Sequence, residues 1–205
     1  MKMIQYFLDH PYFIAIFFAV LAFTIWLCWK ATVASKKRYG ANAKLMAKIK
    51  EENELMNEFA VLTESLIASA QPEKLFKGTA LNLQKRVAKK ADLMAEFNAL
   101  SEEQKEIYAL YSVIDDGAVA LSDFFRNSTH PLTDYAKSAV KNILDSKAAA
   151  VFSKEFNAFD DDNESVSVIP AEISRLDSEF ASLAPVSEIC EKAGRYIKEN
   201  AEKFI

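Results

Sequence analysis

From Tyr12 to Trp29 the chain reads YFIAIFFAVLAFTIWLCW, eighteen residues without a charge. A helix of that length spans roughly 27 Å, close to the ~30 Å hydrocarbon core of a bilayer. A buried helix of a soluble protein is rarely apolar on every face for so long, so the run predicts a single transmembrane helix. Tyr6 and Tyr12 at one end, and Trp26 and Trp29 at the other, fall where aromatic side chains anchor spans at the headgroups. A cleaved signal peptide fits less well. The run is longer than a usual signal core, only Lys2 precedes it together with Asp9, and a basic cluster would open the mature side.

Beyond the run the pattern becomes amphipathic. Residues 41–70 lack Gly and Pro and space Leu55, Phe59, Leu62 and Leu66 by four, three and four, one face of a helix. That face predicts a stalk helix packing on its own domain. A short coiled-coil seam, which would make the chain a homo-oligomer through the stalk, is the alternative. Pro72 opens a further helix, whose apolar side carries Leu83, Val87, Met94, Phe97 and Leu100 and which is interrupted or ends near Asn98. Ser101 and Gln104 form a capping-box pair ahead of Ile107, Leu110, Tyr111 and Ile114.

A break at Asp115–Gly117 precedes LSDFFRNS, Leu121 to Ser128, a short helix carrying Leu121, Phe124 and Phe125. Pro131 restarts a helix burying Tyr135, Ala139, Val140, Ile143 and Leu144, and Val151, Phe152, Phe156 and Phe159 mark another. The last two helices open at Pro170 and Pro185. No strand-like alternation and no internal repeat occurs. The predicted fold is all-α, with an N-terminal segment and transmembrane helix (1–30), a basic juxtamembrane segment and stalk (31–70), and a multi-helix bundle (71–205).

Charge adds direction. Residues 1–100 hold 14 Lys/Arg against 9 Asp/Glu, and 101–205 hold 11 against 20, so the halves are +5 and -9 within a net charge of -4. Lys30, Lys36, Lys37, Arg38, Lys44, Lys48 and Lys50 follow the span before Glu51, against Lys2 alone upstream. The positive-inside rule then places the N-terminus outside and the bundle in the cytoplasm. Tyr12, Trp26, Trp29, Lys30, Lys36, Lys37 and Arg38 are the expected membrane-interface residues, and the lipid bilayer is the first expected partner.

The series LSEEQKEIYALY, LSDFFRNS, ISRLDSEF and YIKENAEKFI resembles a family of small helical bacterial domains of unknown function named after DNA mimic protein 19. The resemblance covers residues 101–205. Phe124, Phe125 and Asn127 match the family's aromatic and Asn positions, while Ala118, Val119, Ala120 and Leu121 stand where the family has Asn-Gly-Gly-Phe. It implies an acidic helical domain that works by binding and, for the namesake, imitation of DNA charge toward a basic nucleic-acid-binding protein.

Catalytic chemistry finds little purchase. Only His10 and His130 could serve a histidine-based site, and neither a nucleophile motif nor a Gly-rich phosphate loop occurs. His130 could act as a base oriented by Asp123 or Asp116 only in isolation from such partners. Asp160, Asp162 and Glu164 alternate like the start of a calcium loop, but Ser165 and Ala171 occupy the places of its Gly and bidentate Glu. Cys28 and Cys190 suggest no disulfide framework, and Cys190 reads as a small core residue. The basic run Lys85–Lys90 reads as a solvated face, with lipid headgroups or nucleic acid as its alternative contacts, and it lacks the interleaved aromatics of a nucleic-acid platform.

The expectation is therefore no enzyme, no metal, no cofactor and no direct nucleic-acid binding. The chain reads as a membrane-anchored adaptor for an unknown protein partner, with a DNA-mimic-type regulator as the alternative. Arg126, Asn127 and Asp123 are the candidate partner-binding residues; their structural reading is that Asn127 and Ser128 cap helices and Arg126 pairs with an acid of a neighbouring helix.

Overall fold

The computed structural model describes residues 11–117, 120–159 and 169–205, with the side chains of residues 19–27, 29, 30, 43 and 45 onward in the first helix and those of the described residues beyond it. Ten α-helices and a closing turn of 3₁₀-helix make up the described chain, which contains no β-strand. They are α1 (Pro11–Glu58), α2 (Glu64–Ser69), α3 (Pro72–Ala88), α4 (Leu93–Asn98), α5 (Glu102–Asp116), α6 (Leu121–Asn127), α7 (Leu132–Ile143), α8 (Ser146–Phe156), α9 (Pro170–Leu183), α10 (Val186–Glu199) and the turn Ala201–Lys203. Two compact units divide the chain at Glu51/Glu52.

In the first unit, Val20, Leu21, Phe23, Ile25, Trp26, Leu27 and Trp29 are each 44–66% exposed. At 100° per residue these seven positions are distributed around the whole helix. Phe23 stacks on Trp26 at 5.8 Å, and the Lys30 ammonium lies 4.7 Å from the Trp26 ring centre. Among the described residues no helix is long and apolar enough to cross a membrane. Side chains are described for only part of the eighteen-residue run, and Tyr12, Lys36, Lys37 and Arg38 lie outside them.

The second unit is a helical bundle with one continuous core. Its most extensive helix pair is α3 with α10, followed by α5 with α7; α8 packs on both α7 and α9. Small residues let α10 approach α3: a Cβ built on Gly194 would lie 2.0 Å from the Pro72 carbonyl oxygen. A Cβ on Gly78 would similarly meet the Phe59 ring at 2.3 Å.

A polar tie crosses this core. Glu106 of α5 is 5% exposed and accepts hydrogen bonds from Ser138 and Asn142 of α7 and from the Tyr196 hydroxyl of α10, each at 2.6 Å. Three donors satisfy a charge that would otherwise oppose its own burial. The Tyr196 hydroxyl is pushed upward in pKa, first by burial and then by the Glu106 carboxylate.

Two predicted helices are shorter than their periodicity suggested. The stalk ends at Glu58, and the chain turns before Thr63, whose hydroxyl caps α2 by accepting from the Leu66 amide at 3.3 Å. Leu55 and Phe59 are buried and Leu62 and Leu66 pack against the same core, so the stripe is used within its own unit. After Ala88 a second turn leads to Asp92, which caps α4 through the Ala95 amide at 2.9 Å. That turn leaves Met94 50% exposed, although Leu83, Val87, Phe97 and Leu100 are buried as expected. Ser101 and Gln104 close the predicted capping box.

Candidate site at the Leu121–Pro131 corner

LSDFFRNS forms α6 and the turn after it. Leu121, Phe124 and Phe125 are at most 4% exposed. Phe125 contacts the rings of Phe124, Phe152, Phe156 and Phe159 at centre distances of 5.1–6.2 Å. The short helix is thus held by an aromatic plug rather than by its own length.

On one side of α6 the polar groups converge on α9. Asp177 accepts from the Ser122 amide at 2.7 Å and from the Ser122 hydroxyl at 3.0 Å. Arg126 donates to the same hydroxyl at 3.2 Å, pairs with Asp123 at 3.5 Å and lies 5.8 Å from the Phe159 ring centre. Beneath them is Glu155 of α8, fully buried, with no donor reaching either carboxyl oxygen. Burial, followed by the Asp177 carboxylate, pushes its pKa up to about 9, while Arg126 opposes the shift. At neutral pH Glu155 is therefore a buried, uncharged acid.

The other side is an apolar groove of about 260 Å³. Val87, Phe97, Tyr108 and Leu132 contribute to its lining, Leu93 and Met94 are exposed along it, and Asn127 to Pro131 supply its polar wall. The His130–Pro131 peptide is cis. His130 hydrogen-bonds Asp134 at 2.6 Å through Nδ1 and sets its ring edge-on to Phe156 at 6.0 Å.

The corner thus divides the three candidate residues. Arg126 and Asp123 belong to the Ser122–Asp177 network, Arg126 pairing within its own helix rather than with a neighbouring one. Asn127 is exposed and faces the groove. His130 pairs with neither Asp123 nor Asp116 but with Asp134. Glu155 and Asp177 were not anticipated: a Glu on an amphipathic helix reads as solvated, and only the i−3, i+1 and i+4 neighbours Phe152, Phe156 and Phe159 hint that its face is inward.

Among the described residues no group of His, Cys, Asp and Glu could hold a metal ion. The acidic run at 160–164 lies outside those residues. Cys190 is 1% exposed, and burial pushes its thiol pKa up, as suits a small core residue. No family model, curated protein or solved structure matches the chain.

Proposed function

We propose that this chain is a single-pass membrane protein, N-terminus outside, which presents a cytoplasmic helical domain as a binding or adaptor module. The observation that carries the reading is the apolar surface exposed around the whole circumference of α1 between Val20 and Trp29. Water disfavours such a surface by about 25 cal/mol per Å². Hydrocarbon accommodates it, and the lysines from Lys30 onward suit the cytoplasmic leaflet.

The binding role rests on the groove at the corner. Its apolar lining takes a hydrophobic side chain, and the Asn127 amide stands where it can meet the main chain of a docked segment. The DNA-mimic alternative needs free carboxylates spaced like phosphates. Against it, Glu172 and Glu179 share Arg175, Glu188 pairs with Lys192, Glu191 with Arg195 and Glu102 with Lys105.

A photo-crosslinking residue at position 127 of the membrane-embedded chain tests the groove. A specific adduct is expected, lost in the Leu93→Glu/Met94→Glu variant and unaffected by Lys147→Ala. An adduct indifferent to the Leu93/Met94 change would overturn the assignment.

A further inference from the structure

On the second unit we infer a binding site for a phosphate group, of the kind carried by an anionic lipid headgroup, at the cleft between α3 and the turn after α1. The cleft measures about 390 Å³ and is lined by Phe59, Ala60 and Leu62 on one side and by residues of α3 on the other. Three features converge there.

The first is charge. Lys85, Arg86 and Lys89 line the cleft and are exposed, and of these only Arg86 has a counter-ion among the described residues, Glu96 at 2.8 Å. Lys85 and Lys89 therefore carry uncompensated charge at the opening. The second is a buried donor. Thr79 is 2% exposed and forms part of the cleft, yet its hydroxyl has no hydrogen-bond partner. A helical threonine hydroxyl ordinarily satisfies itself on a preceding carbonyl, and leaving it unpaired is costly. An acceptor oxygen entering the cleft would satisfy it.

The third is the opposite wall. Phe59, Leu62 and Phe204 are apolar, so the cleft suits a phosphate esterified to something less polar than water. The nearby amides are already engaged: Asn82 donates to the Met56 and Gly78 carbonyls and Gln104 to the Lys203 carbonyl. Recognition thus falls to Thr79 and the cations, and a bare phosphate would leave the apolar wall unused. Val61, 75% exposed on the same turn, adds an apolar contact suited to a lipid surface.

The test uses the purified full chain in neutral detergent with monomeric short-chain lipids, so that the α1 segment contributes equally to every arm. Dioctanoyl phosphatidylglycerol should bind saturably and raise the melting temperature, more weakly as salt rises; dioctanoyl phosphatidylcholine should bind at least roughly 10-fold more weakly. Thr79→Val, which keeps the shape, should weaken phosphatidylglycerol binding roughly 5- to 10-fold. Lys85→Ala/Lys89→Ala should abolish it, and the control Lys147→Ala/Lys154→Ala should leave it unchanged. Inorganic phosphate binding as tightly as the lipid would place the source in free phosphate, at the same site. Equal binding of both lipids, or binding indifferent to the Thr79 and Lys85/Lys89 variants, would overturn the site. Either result is independent of whether α1 spans a membrane, which fractionation decides separately.

Discussion

Replacing Glu155 with glutamine should remove one proton's worth of pH dependence from the stability of the helical unit. In the folded chain Glu155 keeps its proton up to about pH 9, whereas an unfolded glutamate releases it near 4.5. Between those values the native state holds one proton more than the unfolded state, so this group makes stability fall as pH rises, by at most about 1.4 kcal/mol per unit. From pH 6 to pH 8 that amounts to at most about 3 kcal/mol, roughly 5 to 10 °C in melting temperature for a protein of this size. Glutamine retains the shape, but it cannot ionise. The variant should therefore unfold with a flatter pH profile and match or exceed the wild type above pH 7. Trp26 and Trp29 both lie in α1, so urea unfolding followed by far-ultraviolet circular dichroism at several pH values is the suitable assay. Parallel profiles for the two proteins would refute a buried, protonated Glu155.

Other substitutions probe the remaining supports. Phe125→Ala should destabilise the unit by about 3–5 kcal/mol in urea unfolding, because four neighbouring rings lose their common partner. Glu106→Ala should cost about 3–5 kcal/mol by leaving Ser138, Asn142 and Tyr196 without their acceptor, and Glu106→Gln should cost less. Gly194→Ala should lower stability by about 1–3 kcal/mol, since its Cβ meets the Pro72 backbone rather than a side chain that could move away.

The helices were legible because their apolar residues recur at helical spacing and their starts carry specific chemistry. The Ser101/Gln104 capping box and the prolines opening α3 and α9 stand where the sequence places them. The breaks after Glu58 and Ala88 were not legible, because a threonine or aspartate cap looks like any surface residue until the chain turns there. Met94 was misplaced for the same reason: a stripe extrapolated through the Lys89–Asp92 turn loses its phase. At the corner, LSDFFRNS showed its aromatic plug, but the Ser122–Asp177 bonds join residues 55 positions apart. The unpaired Thr79 hydroxyl was hidden in another way, since a threonine on a helix gives no sign of whether its hydroxyl has an acceptor.

The central claim is that α1 holds a cytoplasmic helical unit to a membrane. Membranes from cells making the full chain, washed with high salt and alkaline carbonate and then compared with a chain lacking residues 1–30, test it most directly. The full chain should remain in the washed membranes, its helical unit shielded from protease added outside intact cells, and the shortened chain should be soluble. Release of the full chain by the washes, or digestion of the helical unit from outside, would contradict the account.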